Sequence, residues 1–267
     1  MTTRTAGTEP FPERCTAIVT GAGARRGIGR AVARRLISDG WSVVAADIDS
    51  AAVQAFAEEL AADSRRRDHQ HVLAVGVDVS DQAAVDAAFA RIDAEMPPVA
   101  ALVNLAGIAS PDSILDLTPE IWDQVMDINA KGTLLMTQAA AHRMTRGGVA
   151  GRIVNASSIT ALDGGGTFSK AGYASAKAAI LGLTRGSARE LGTYGITANA
   201  ILPGPIDTDI MGGTLTEDRK ADMSATIPLH RVGQPEEVAG LVAYLVSAES
   251  GFINGASINI DGGKHMH

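Results

Sequence analysis

The chain has 267 residues, 46% of them hydrophobic, and a formal net charge of −7. That size suits one α/β domain with a sizeable core, and the acidic balance argues against nucleic acid or an anionic membrane surface as a partner. A single cysteine, Cys15, allows no intrachain disulfide and points to a reducing, cytoplasmic setting, and no apolar run reaches the roughly 18 residues of a membrane-spanning helix.

Residues 1–13 are polar, carry Pro10 and Pro12, and read as a loose tail. Short apolar runs then alternate with longer amphipathic segments. Strands are expected over Cys15–Thr20, Trp41–Asp47, His71–Val77, Ala100–Leu105, Arg152–Ala156, Thr197–Leu202 and Ser257–Ile260. Helices are expected over Gly27–Ser38, Ala51–Ala62, Gln82–Glu95, Pro119–Met144, Tyr173–Gly192 and Pro235–Ser247. Strands that are apolar throughout suit a sheet covered on both faces. Their alternation with helices implies right-handed crossovers and a parallel sheet of about seven strands. The Pro- and Gly-containing stretch 204–233, with two short helical candidates, reads as a binding-loop excursion. His265 and His267 close the chain without a metal-ligand cluster and read as a frayed end; no metal site is expected.

The first strand runs into Thr20-Gly21-Ala22-Gly23-Ala24-Arg25-Arg26-Gly27-Ile28-Gly29 and then a helical pattern. Glycines permit a tight turn and close approach of backbone to phosphate, and the helix that follows offers free N–H groups to a pyrophosphate. Asp47 ends the second strand, where a carboxylate accepts hydrogen bonds from both ribose hydroxyls and repels a 2′-phosphate, favouring NAD. Arg25 and Arg26 pull toward NADP. Asp47 carries more weight because a strand tip fixes its position, although Asp47-Ile48-Asp49-Ser50 also resembles a helix cap. Asp78, with Val79 beside it, either meets the adenine edge or serves as a helix N-cap.

Tyr173 and Lys177 lie four residues apart in a helical segment, so they share one face. An ammonium beside a phenol favours the phenolate and lowers its pKa, as acid–base chemistry on an alcohol or ketone requires. Ser157 and Ser158 end the fifth strand, and a serine hydroxyl there can donate to a developing alkoxide.

Taken together, the glycine loop, Asp47, Asp78, Asn104-Leu105-Ala106-Gly107, Asn129, Ser157-Ser158, Tyr173/Lys177, Pro203-Gly204 and Asp261-Gly262-Gly263 resemble the short-chain dehydrogenase/reductase family in its compact single-domain form, from Thr16 to Gly263. The resemblance implies a Rossmann-type doubly wound sheet over 1–267, a nicotinamide cofactor and hydride transfer. It makes Tyr173 the acid/base and has Lys177 lower its pKa and hold the nicotinamide ribose. Ser158 becomes the donor to the substrate oxygen, and Asn129 the holder of a water in a proton relay. It assigns cofactor contacts to Gly21, Gly23, Arg26, Gly27, Ile28, Gly29, Asp47, Asp78 and Val79, and to Asn104, Ala106 and Gly107 along the nucleotide channel. Pro203, Gly204, Ile206 and Thr208 meet the nicotinamide end. The chain departs from the family's pattern in a glycine loop two residues longer than usual, in Leu105 at a position where Asn is common, and in an interval from Ser158 to Tyr173 about two residues longer, lying in Asp163-Gly164-Gly165-Gly166.

The expected activity is NAD-dependent hydride transfer between a small secondary alcohol or ketone and the nicotinamide. An NADPH-dependent 3-oxoacyl carrier-protein reductase is the alternative, on the likeness of Ile227-Pro228-Leu229 and Pro235-Glu236-Glu237-Val238 to those proteins; Asp47 opposes it. A non-catalytic nucleotide sensor is opposed by the filled catalytic positions. Small residues Ala139, Ala140, Ala178, Ala179 and Gly182 on long helices suit close packing against a second copy, and the family is usually tetrameric, so a homotetramer is expected.

Overall fold

The computed structural model describes residues 11–12, 14–166, 169–211 and 216–266. Most of the expected loose tail, part of the 204–233 excursion and His267 therefore lie outside the described residues. Seven strands, β1 (Thr16–Thr20), β2 (Ser42–Asp47), β3 (Val72–Gly76), β4 (Val99–Asn104), β5 (Arg152–Ala156), β6 (Thr197–Pro203) and β7 (Ser257–Ile260), form one sheet in the order β3-β2-β1-β4-β5-β6-β7. Every pairing is parallel. Strands β1 and β4 are buried along their whole length, which is why their sequences lack polar alternation.

Helices cover both faces: α1 (Ile28–Asp39), α2 (Ser50–Ala61), α3 (Gln82–Glu95), α4 (Pro119–Met126), α5 (Gly132–Gly147), α6 (Thr160–Asp163), α7 (Ala171–Leu191), α8 (Glu217–Ser224) and α9 (Pro235–Val246). Helix α1 packs on α9 and α2, and α5 packs on α3 and α7. Val32, Leu36 and Ile37 of α1 and Val238, Val242 and Leu245 of α9 are fully buried at these contacts. At about 25 cal/mol per Å², burying each such side chain stabilises the fold by roughly 1.5–3 kcal/mol before entropy is counted.

The strand order reverses between β1 and β4. The carboxyl ends of these strands diverge there and open a crevice, the usual ligand position in an open α/β sheet. Asp47, Ser157 and Gly204 all stand at or just past strand ends on that edge.

One expectation is refined and one corrected. The helical segment 119–144 is interrupted at Asn129, as the family resemblance implies, by a π-helical turn at Asp127–Lys131 that separates α4 from α5. Asn129 at its centre is fully buried and its side-chain amide donates to the carbonyls of Val125 (2.9 Å) and Ile108 (3.1 Å). A side chain that captures backbone carbonyls in this way suits a local widening of the helix. The chain end up to His265 is not frayed. Asp261 accepts from the N–H groups of Gly263 (2.9 Å) and His265 (2.7 Å), and Lys264 donates to Thr226 (2.7 Å). Among the described residues no helix is long and apolar enough to cross a membrane.

Candidate active site

A cavity of about 840 Å³ lies over the crevice. Gly21, Gly27, Ile28 and Gly29 form its floor at one end, and Asp47, Asp78 and Val79 the adjoining wall. Ala106, Gly107, Lys177, Tyr173 and Ser158 line its centre, with Pro203, Gly204, Ile206 and Thr208 opposite.

The glycine end is shaped for a close-fitting ligand. Gly21 adopts φ +69°, and a Cβ there would lie 2.8 Å from the Leu105 carbonyl oxygen. A Cβ on Gly29 would collide with the Gly21 carbonyl oxygen. Only glycine lets this turn close with its backbone facing the cavity, and the first turn of α1 then presents free N–H groups beside it. This cradle fits a dinucleotide pyrophosphate. Gly23 serves differently: its N–H donates to Asp47 Oδ2 at 2.8 Å, and a Cβ there would fall 2.7 Å from Asp47 Cγ. Gly23 and Arg26 do not line the cavity wall, and Arg26 instead donates to Asp207 at 2.6 Å.

Asp47 is held at its strand tip by Gly23 and by the Asp49 N–H, 3.1 Å from Oδ1. A carboxylate offers about four lone-pair sites, so two remain for ribose hydroxyls. The helix-cap reading falls to Asp49, whose side chain accepts from Ala52 N–H as N-cap of α2. Arg30, buried behind this turn, donates to the Gly23 carbonyl (3.1 Å) and stacks 4.5 Å from the Phe56 ring centroid. Asp78 lines the cavity while Oδ1 accepts from both the N–H and hydroxyl of Ser80. Those two bonds hold its carboxyl below the usual carboxylate range.

At the other end, Tyr173 and Lys177 sit one turn apart on α7, with Lys177 Nζ 5.4 Å from the phenol ring centroid. Burial pushes the Tyr173 phenol up to about 12, and its hydrogen bond with Ser158 only partly opposes this. Burial lowers Lys177 to about 8. The direction is opposite to the expected lowering of the tyrosine pKa, because desolvation disfavours the phenolate more than the Ser158 hydrogen bond supports it. Lys177 Nζ donates to the Ala156 carbonyl at 2.8 Å.

Asn129 does not reach the cavity wall, but its Oδ1 is buried without a hydrogen-bond partner. A Cβ on Gly107 would collide with that oxygen and lie 3.5 Å from Lys177 Nζ. Gly107 therefore leaves the amide and the ammonium facing one shared space, which suits a relay through a small polar molecule. The Asn129 carbonyl accepts from Thr133 Oγ1 at 2.7 Å.

Asn104 points away from the nucleotide channel. Its amide donates to Asn155 Oδ1 (2.9 Å) and Thr137 Oγ1 (3.2 Å), and Asn155 donates to Thr184 Oγ1 (3.0 Å). These buried groups lock β4, β5, α5 and α7 together. Ser157 adds a bond to the Lys177 carbonyl at 2.8 Å, so α7, which carries the tyrosine, is pinned directly to the strand that carries Ser158. Thr160, within a segment (Thr160–Lys170) whose sequence position suits the substrate pocket, has no individual role legible in the sequence. Its N–H donates to Ser158 Oγ (3.2 Å), and its hydroxyl accepts from Ser158 (3.1 Å) and lies 3.4 Å from Ser169 Oγ. The signal was present in Ser158-Ile159-Thr160, but a hydroxyl two residues on is too common to single out. Asp163, Gly165 and Gly166, from the lengthened interval, line the same end, as do Met223 and Lys264.

The arrangement can hold a dinucleotide along the strand ends and bring an alcohol or carbonyl carbon to its far end. There, a proton donor, a second hydroxyl and a buried ammonium converge.

Comparison with known proteins agrees with this layout. The family model described as Enoyl-(Acyl carrier protein) reductase matches residues 21–265. A (3R)-3-hydroxyacyl-CoA dehydrogenase of Rattus norvegicus is 41% identical over 254 residues, covering 94% of this chain and 96% of that protein. The 3-oxoacyl-[acyl-carrier-protein] reductase MabA of Mycobacterium bovis is 36% identical, covering 96% and 95%. The crystal structure of a short-chain type dehydrogenase/reductase from Mycobacterium marinum superposes with a TM-score of 0.86 at 32% identity, covering 95% of this chain and 96% of that one.

Proposed function

This chain belongs to the short-chain dehydrogenase/reductase family, and from that premise we propose that it transfers hydride between a secondary alcohol or ketone and NAD. The single observation that carries the reading is the convergence of Ser158, Tyr173 and Lys177 in the cavity whose other end holds Asp47 and the glycine cradle. When bound, the nicotinamide supplies the hydride-accepting or hydride-donating carbon.

The chain's own groups handle the oxygen and its proton. Ser158 turns its hydroxyl from Thr160 toward the substrate oxygen and stabilises developing negative charge. In reduction, the neutral Tyr173 phenol gives its proton to that oxygen. In oxidation, the proton moves to Tyr173, and the Lys177 ammonium offsets part of the cost of the phenolate. Asn129 Oδ1 and Lys177, facing each other across Gly107, provide the route by which that proton is replenished.

NAD rather than NADP is supported by Asp47, whose carboxylate is fixed on the cavity wall, and by Arg26, which is engaged with Asp207 on the far side. A single catalytic domain in a cytoplasmic homotetramer completes the proposal. Ala178, Ala179 and Gly182 leave an exposed strip of small residues on α7 that suits a second copy, whereas Ala139 and Ala140 are buried on the chain's own core. The name of the Mycobacterium bovis relative favours one second reading, reduction of a 3-oxoacyl carrier thioester, for which NADPH is the nucleotide expected from the sequence.

The experiment is a turnover screen with NAD and NADP over secondary alcohols and 3-hydroxyacyl-CoA thioesters, repeated with Tyr173→Phe. The proposal expects NAD-linked turnover that falls by about 10²–10⁴-fold in the variant while nucleotide binding survives. Near-normal turnover by Tyr173→Phe would sink the assignment, and activity confined to NADPH and a carrier-bound substrate would bring the second reading forward.

A further inference from the structure

Arg25 and Arg26 lie in the glycine-rich turn, and the structure gives Arg26 a partner far away in sequence. Its Nη2 donates to Asp207 Oδ1 at 2.6 Å, and its Nε lies 3.8 Å from Asp209 Oδ1. The second oxygen of Asp207 is taken by Lys220 of α8, at 3.0 Å. The Asp207 side chain is only 8% exposed, against 42% for Arg26 and 24% for Lys220. One nearly buried carboxylate thus joins two cations, one from the turn that opens α1 and one from the helix in the 204–233 excursion.

The positions of the neighbours give this node its meaning. Gly27, next to Arg26, lines the cavity, and so do Ile206 and Thr208, on either side of Asp207. Asp222 and Met223 of α8 line it as well. The Arg26–Asp207 pair therefore ties together two segments that both line the cavity, and Lys220 extends the connection to α8. The segment between is itself braced, since Asp207 N–H donates to the Gly233 carbonyl (2.9 Å) and Gly233 N–H to the Pro205 carbonyl (2.9 Å). Removing one cation from a carboxylate so little exposed leaves charge poorly paired, so the loss is felt more than at a surface pair.

We propose that Asp207 is a positioning residue that straps the nucleotide-binding turn to α8, so that retention of the nucleotide and ordering of α8 are set together. The inference rests on the reading of this cavity as a nicotinamide dinucleotide site. Because the coupling is reciprocal, a change at either cation is felt at the other end.

The test measures NADH release by stopped-flow fluorescence, and amide hydrogen exchange along Glu217–Ser224 with and without NADH, in wild type, Arg26→Ala, Arg26→Lys and Lys220→Met. Thermal midpoints establish that the variants are folded. NADH should slow exchange in α8 of the wild type. Arg26→Ala should abolish that slowing although residue 26 is not on α8, and should release NADH roughly tenfold faster, most of an affinity change appearing in the off-rate. Arg26→Lys should recover part of both effects. Lys220→Met should also speed NADH release, although residue 220 is not in the turn. Wild-type release rates in both Arg26→Ala and Lys220→Met, or α8 exchange indifferent to NADH in the wild type, would overturn the strap while leaving the site reading intact. Failure of the wild type to bind NADH at all would remove the site reading, and the strap with it.

Discussion

Replacing Gly23 by Ala tests how Asp47 is held. The new Cβ would lie 2.7 Å from Asp47 Cγ and 2.9 Å from Oδ2, well inside contact distance, so the carboxylate must swing away and its 2.8 Å bond to the residue 23 N–H is lost. Overpacking of this kind costs about 1–3 kcal/mol, and a hydrogen bond to a charged acceptor contributes about 1.5–3 kcal/mol. Because Asp47 faces the cavity, solvent recovers part of both, and a net destabilisation of about 2 kcal/mol follows. For a chain of this size that corresponds to a fall in melting temperature of about 4–8 °C. The functional consequence is larger than the structural one. With Asp47 displaced, NADH loses its ribose acceptor and binding should weaken by roughly tenfold, about 1.4 kcal/mol. NADPH, which the same carboxylate repels, should change less. Differential scanning fluorimetry and paired NADH and NADPH titrations read both effects. A melting temperature within a degree or so of wild type together with an unchanged NADH/NADPH ratio would show that Gly23 does not position Asp47.

The paired serines should separate cleanly. Ser157→Ala removes the bond to the Lys177 carbonyl and should cost about 1 kcal/mol of stability with only a few-fold loss of kcat, whereas Ser158→Ala, which removes the bonds with Thr160, should cost about as much stability but lower kcat by about 10²–10³-fold; the reverse pattern in kcat would mean the two roles are exchanged. The raised Tyr173 pKa sets the direction of the pH dependence. The neutral phenol is the resting form, so alcohol oxidation, for which Tyr173 must first lose its own proton before it can accept the hydroxyl's, should accelerate as pH rises toward about 12, while ketone reduction should not. In the nucleotide-free protein, a difference ultraviolet titration between wild type and Tyr173→Phe should show no tyrosinate from this residue below about pH 10. Oxidation fastest at the acid end would refute this account of the proton.

Much of the fold was legible because a sheet covered on both faces requires apolar strands, and all seven expected strands overlap observed ones. The Tyr173/Lys177 pair was legible because helical spacing alone brings the two together, and Asp47 because it terminates a strand. Side chains whose partners are distant in sequence were not. Asn104 reads as a channel residue beside Ala106 and Gly107, yet strand alternation turns it into the amide network with Asn155, 51 residues away. Arg26 reads as a guanidinium suited to a 2′-phosphate, and its pairing with Asp207, 181 residues on, is not legible in the sequence. The tyrosine pKa was misjudged for a related reason. Spacing reveals the nearby ammonium, but not the burial that raises the phenol's pKa.

The account stands most directly on titration of the wild-type protein with NADH and with NADPH, followed by nicotinamide fluorescence. Saturable binding of both nucleotides, with NADH tighter, is the predicted result, because Asp47 accepts the ribose hydroxyls and Arg26 is engaged by Asp207. Tighter binding of NADPH would contradict the assignment of Asp47 as selector, and absence of binding by either would contradict the assignment of the cavity.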